Sequence, residues 1–261
     1  MNLHHPLAIT NKVSGENMIK NFITAVGTFS MGSLFNLAQA DVSINATRII
    51  YPASKKEITF TVNNAGKKSS LIQAWLDEGN SKDTPDNTSA PFVLTPPISI
   101  LQAEKGQNIR VRYTGEIALP TDKESLFWIN VLEVPQNTDD PNQLRIGIRS
   151  RIKFFFRPEK LALSPENAPE KLSWKLISKN SKWYVLIHNG TPYYITFNQI
   201  HINTEKTKGS VDLSPQKSMI SPNGDMEYEI TAKSDEIKPG INFSVINDYG
   251  GSSSYTAKLA E

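Results

Sequence analysis

From Asp41 to the end of the chain, apolar residues recur at every second position, and the spacing of an amphipathic helix is scarce. Successive side chains of an extended strand point to opposite faces, so this alternation commits the chain to half-buried strands. "VSINATRIIYP", "EITFTVNNAG", "SLIQAWLDEG", "NIRVRYTG", "LFWINVLEVP" and "LRIGIRSRIKFFF" are short runs rich in β-branched and aromatic residues. Gly, Pro, Asn and Asp clusters separate them. The Pro- and Glu-rich "SPENAPEKL", residues 164–172, interrupts the series and is the best domain boundary in the chain. A second series follows: "KLSWKLIS", "KWYVLIHNG", "PYYITFNQIHIN", "DMEYEITAK" and "INFSVINDYGG". Two all-β domains of about 120 and 100 residues, at 41–161 and 162–261, match the usual size of immunoglobulin-like sandwiches.

The first forty residues have a different character. "MIKNFITAVGTFSMGSLFNLAQA", residues 18–40, places Lys20 before an apolar, small-residue run ending in Ala38-Gln39-Ala40. Basic start, apolar run and A-x-A in this order predict an export signal cleaved after Ala40, with Met1 and Met18 both available as starts. The run is too short and too broken by Asn36 to read as a membrane span. No membrane insertion is expected.

Composition narrows the chemistry. A formal net charge of +2 gives no global field toward nucleic acid, and the absence of cysteine excludes disulfides, thiol nucleophiles and Cys-ligated zinc. His4 and His5 precede the signal, and His188 and His201 read as edge or surface residues. H-E-x-x-H, G-x-S-x-G, Walker and dinucleotide motifs are missing. Neither an enzyme nor a metal or cofactor site is expected.

One stretch asks for more than solubility. In "NQLRIGIRSRIKFFFRP", residues 142–158, Leu144, Ile146, Ile148 and Ile152 share one parity, while Arg145, Arg149, Arg151 and Lys153 share the other. The cations could be a solvated face, a nucleic-acid footprint or a binding site. Export makes nucleic acid a poor partner, and the stripe is small for one. Spacing alone does not say whether the apolar parity fills the domain's own core or serves another protein.

"LPTDKESLFWINVLEVP", Leu119 to Pro135, resembles the signature of the periplasmic pilus-assembly chaperones, the PapD-like family. The strand "VSINATRIIYP", "QAWLDEG", the Pro-Pro segment "TPPISILQAEKGQNIRV", "RIKFFFRP", "NGTPYYITF" and "INDYGG" extend the resemblance over essentially all of residues 41–261. It implies two immunoglobulin-like domains in a boomerang arrangement. It also implies a periplasmic, non-enzymatic chaperone without cofactor, whose partners are pilus subunits and an outer-membrane usher. Such a chaperone lends an edge strand to a subunit that lacks its last strand, and anchors the subunit's C-terminal carboxylate in its cleft.

Carried over residue by residue, the resemblance makes Arg48 and Lys153 the carboxylate anchor. Leu144, Ile146 and Ile148, with Val134, become the apolar plugs of the donated strand. Glu124, Arg157 and Asp248 become an inter-domain ion network that sets the cleft angle. Arg145, Arg149 and Arg151 are left as a charged edge against wrong pairing. The brief connection "VPQNTDDPNQL" and the lack of cysteine resemble the family's short-loop branch. The competing expectations are a structural adhesin or pilus subunit, which would carry a free N-terminal extension, and a secreted β-sandwich hydrolase.

Overall fold

A computed structural model describes residues 41–134, 146–180, 182–204, 208–211, 213–214, 217–230 and 237–260. The export signal, the Met1 or Met18 start, Leu144 and Arg145 lie outside the described residues.

Nine strands, numbered in chain order, make the first sandwich. One sheet holds β1 (Val42–Ile44), β3 (Ile58–Asn64), β7 (Gly106–Tyr113) and β5 (Phe92–Thr95), adjacent in that order. The facing sheet runs β2 (Arg48–Pro52), β9 (Ile148–Arg157), β8 (Ser125–Val134), β4 (Ser70–Asp77) and β6 (Ile98–Leu101). The run "VSINATRIIYP", read as one strand, is two that belong to different sheets. β1 pairs antiparallel with β3, whereas β2 pairs parallel with β9. The chain changes sheet again between β5 and β6, where the Thr95–Pro96 peptide is cis.

Alternation fills the space between the sheets. Phe154 and Phe156 of β9 point inward beside Tyr51, Phe92 and Phe127, with ring centroids 4.9–6.5 Å apart in mostly edge or tilted arrangements. These geometries suit the quadrupoles of aromatic rings. Phe155, of opposite parity, points the other way and meets Tyr194 of the second domain at 5.8 Å. One aromatic triplet therefore serves both the core and the joint.

The second sandwich packs a sheet of β10 (Leu172–Lys179), β11 (Lys182–Asn189) and β15 (Gly224–Ile230) on one of β13 (Lys208–Ser210), β12 (Ile195–Thr204), β16 (Ile237–Ile246) and β17 (Ser252–Lys258). β14 (Met219–Ile220) pairs with the start of β12. Trp174, Phe197, Phe243, Ile187 and Ile202 centre its core. Within 164–172, Ala168–Lys171 forms a single 3₁₀ turn before β10, with Ala168 and Pro169 buried. "INDYGG" is the tight turn joining β16 to β17, closed by Asn247 N–H donating to Gly251 O at 2.8 Å. That turn projects Asp248 toward the first domain. Among the described residues no helix is long and apolar enough to cross a membrane.

Candidate functional site

Parallel pairing of β2 with β9 aligns Arg48 with Lys153, so two cations 105 positions apart in sequence become strand neighbours at the joint. Both reach to the second domain. Arg48 Nη1 donates to the Ile246 carbonyl at 2.8 Å, and Lys153 Nζ donates to Thr196 Oγ1 at 3.1 Å. Phe155 and Trp128 lie under the two charges at 5.7 and 5.9 Å. Among the described residues neither cation forms an ion pair, and the buried Arg48 Nε has no hydrogen-bond partner. Burial, and then the neighbouring Arg48 charge, bring the Lys153 amine down to about 8. Burial lowers Arg48 as well, against the pull of Asp248 and Glu124. Two half-buried cations with unspent donors make a site for a carboxylate, whose two oxygens can accept from both.

β9 leads away from this pair with one side bare. β8 pairs with it from Ile148 to Phe156, but β2 covers only Lys153–Arg157. Among the described residues, the side of Ile148–Ile152 away from β8 has no strand partner. Ile148 lies opposite Glu133 in the register, on the same face as Ile152, Phe154 and Phe156. The inward face of the sandwich thus runs on past its own core as Ile148 and then Ile146, which is 61% exposed. Val134 does not extend this row. It pairs with Leu71 on the outer face, because β8 alternates and its inward positions are Phe127, Ile129, Val131 and Glu133. Its grouping with Leu144, Ile146 and Ile148 is corrected by the register.

The outer face overturns the reading of Arg149 and Arg151 as a plain charged edge. Arg151 grips the fully buried Asp77 with Nε and Nη2 at 3.0 and 2.5 Å and stacks on Trp128 at 4.2 Å. Asn130 donates to the same carboxylate at 2.7 Å. Burial opposes ionisation of Asp77, but the Arg151 and Asn130 hydrogen bonds, with the Gly79 amide, outweigh it and hold the carboxyl below its ordinary range. Arg149 donates to the Ser81 carbonyl and lies 5.8 Å from the Trp75 ring. Arg149 ties the 78–90 loop to the sheet, and Arg151 joins β9 to β4 and β8 within it.

At the joint, Arg157 meets carboxylates from both domains. Its Nε donates to Glu124 Oε1 at 2.7 Å, and its two terminal nitrogens hold Asp248 at 2.6 and 2.8 Å. Tyr194 N–H donates to the other Glu124 oxygen at 2.9 Å, and Glu124 N–H to the Pro192 carbonyl at 2.9 Å. Burial works against the Arg157 charge, but Asp248 and Glu124 more than compensate and raise its pKa.

Two family models divide the described chain between them: the pili and flagellar-assembly chaperone PapD N-terminal domain over residues 41–162, and the pili assembly chaperone PapD C-terminal domain over residues 167–257. The probable fimbrial chaperone YadV of Escherichia coli K12 is 34% identical over 244 residues, covering 91% of this chain and 95% of its own. This chain belongs to the PapD family of pilus-assembly chaperones. Chaperone MrkB of Klebsiella pneumoniae is 38% identical over 219 residues, 80% of this chain and 88% of its own. The YadV crystal structure superposes with a TM-score of 0.71, covering 84% of this chain and all of YadV. The SafB chaperone of Salmonella enterica, solved in complex with the SafA pilin, superposes at 0.70 with 25% identity over 85% of this chain and 97% of its own.

Two residues that hold functional or structural cations were not singled out in the sequence. Thr196, which holds Lys153, interrupts "YYITF" as a polar residue between the inward Ile195 and Phe197, and is itself buried. Asp77 is a carboxylate immediately after a strand's core positions. Alternation marks both as outward-facing; nothing in it says that another segment covers them. His188 is exposed, with Nδ1 2.9 Å from Asp225 Oδ1.

Proposed function

We propose that this chaperone acts in the periplasm, without enzymatic chemistry. It captures fimbrial subunits by lending them the bare edge of β9 and clamping their C-terminal carboxylate between Arg48 and Lys153. One observation carries the reading: among the described residues, two neighbouring cations without an ion-pair partner lie at the end of a strand edge that has no strand partner and whose apolar face continues beyond the core.

The parts divide the work physically. Main-chain groups of Ile148–Ile152 supply the hydrogen bonds of a new strand pair, and Ile146 and Ile148, with Leu144 ahead of them, insert into the groove of an incomplete sandwich. The carboxylate fixes register, because only one alignment of the incoming strand places its end on both cations. Burying an apolar groove and its unpaired backbone removes the features that make a free subunit aggregate. No nucleotide or metal is needed, since binding energy does the work. Release follows at an outer-membrane usher, where another subunit's extension replaces the lent strand.

Co-expression with a candidate subunit, followed by periplasmic pull-down, tests the reading. Arg48→Ala and Lys153→Ala are each expected to leave the chaperone folded and abolish capture. Undiminished capture by both variants sinks the anchor assignment.

A further inference from the structure

Beside Arg48 lies a cavity of about 110 Å³ walled by Tyr193, Tyr249, Tyr255 and Ile246, with Glu166 and the Arg157-bound Asp248 also in its lining. Its size approaches the ~150 Å³ of an apolar protein cavity that holds benzene. Arg48 lines this wall, its buried Nε without a hydrogen-bond partner among the described residues, and Thr196 accepts from the Lys153 ammonium on its hydroxyl. Any chain end seated between Arg48 and Lys153 therefore has its last side chain within reach of the cavity.

Tyr249 is the unusual member. It is 95% exposed, the most exposed large apolar residue among those described. Yet the backbone beneath it is pinned. Asn247 Oδ1 accepts from the Tyr249 and Gly251 amides at 3.1 and 2.9 Å, and Gly250 N–H donates to the Asn247 carbonyl at 3.0 Å. Gly250 has φ +82° and packs so closely on Thr47 that a Cβ there would collide with the Thr47 hydroxyl. Asp248 is locked to Arg157 on the other side. A pinned turn of the second domain thus holds a bare aromatic ring at the cavity wall, one residue before the glycine that packs on Thr47. An exposed ring on a fixed support loses little entropy when it is covered.

We propose that Tyr249 and this cavity bind the side chain of the subunit's C-terminal residue and select for an aromatic one. The occupant follows from charge and lining: the two cations call for a carboxylate, and the cavity beside Arg48 presents tyrosine rings and Ile246, with Glu166 and Asp248 as its acids, the latter already held by Arg157. The proposal rests on the carboxylate-anchor reading above and adds a side-chain preference to it.

Acetyl-Gly-Gly-Phe, acetyl-Gly-Gly-Ala and the C-terminally amidated Phe peptide, titrated into the isotope-labelled chaperone and followed by amide chemical shifts, separate the anchor from the side-chain preference. The free-acid Phe peptide is expected to bind about threefold to tenfold tighter than the Ala peptide, the range an aromatic contact supplies. Its shifts are expected at Thr196, Ile246 and Tyr249. Tyr249→Ala, a surface change that leaves the fold intact, is expected to erase that preference while binding still requires the free carboxylate. Equal binding of Phe and Ala peptides, a preference that survives Tyr249→Ala, or no binding up to the solubility limit overturns the proposal. Carboxylate-dependent binding without side-chain preference spares the anchor reading and sinks only the selectivity. Equal binding of the acid and amide Phe peptides contradicts the anchor itself.

Discussion

Lys153 carries opposite demands in the free and the loaded chaperone. Its amine loses a proton at about 8 in the folded chain, against an ordinary 10.5. Between those values the unfolded chain holds a proton that the folded chain does not, so raising the pH through this window stabilises the free chaperone. Lys153→Met is therefore expected to melt a few degrees higher than the parent at pH 7, with the gap closing by pH 10, in thermal unfolding followed by circular dichroism. Capture runs the other way, because a bound carboxylate favours the charged amine. Subunit affinity is expected to weaken above pH 8, by at most about tenfold per unit, and this slope is expected to flatten in Lys153→Arg. The two outer-face arginines differ just as sharply. Arg151→Ala strips the ion partner from a fully buried Asp77 and is expected to cost about 3 kcal/mol or more in urea unfolding. Arg149→Ala, which loses an exposed carbonyl contact and a distant ring, is expected to cost under about 1 kcal/mol.

At the scale of the strand, β9 shows what alternation can and cannot disclose. Its two parities were plain in the sequence, and the inward set Ile148, Ile152, Phe154 and Phe156 lies on one face, as a period of two requires. What alternation could not disclose was coverage. Arg149 and Arg151 are outward by parity, and that Arg149 meets the 78–90 loop while Arg151 meets the buried Asp77 of β4 is tertiary placement that no local pattern encodes. Val134 is outward for the same reason of parity, and its position at the end of an apolar motif hid that. The split of "VSINATRIIYP" into two sheets likewise depends on tertiary pairing, since both halves alternate equally well. The Arg48–Lys153 adjacency entered through family likeness alone; its physical basis is a parallel pairing between strands distant in sequence. For capture, Ile148→Asp places a charge on the face to be buried and is expected to reduce recovered subunit at least tenfold in pull-down. Arg149→Ala, on the opposite face, is expected to leave recovery unchanged; equal losses would refute the proposed face.

For the whole molecule, Arg157 is the charged bridge of the joint. Arg157 neutralises Glu124, which is 3% exposed, and Asp248 from the other domain. Arg157→Ala leaves buried Glu124 without its cation and is expected to destabilise the chaperone by about 3 kcal/mol. It is also expected to split one unfolding transition into two in calorimetry as the sandwiches uncouple. Domain two then no longer carries Ile246 and Thr196 to the cations, so subunit capture is expected to fall with it. Everything proposed for this cleft depends on β9 gaining a partner on its bare side. Amide hydrogen exchange on the free chaperone and on its subunit complex measures that directly. The account predicts that amides of Ile148–Ile152 pointing away from β8 exchange freely in the chaperone alone and become strongly protected in the complex, while those bonded to β8 change little. Unchanged exchange along Ile148–Ile152 in a stable complex would show that the subunit binds elsewhere and contradict strand donation.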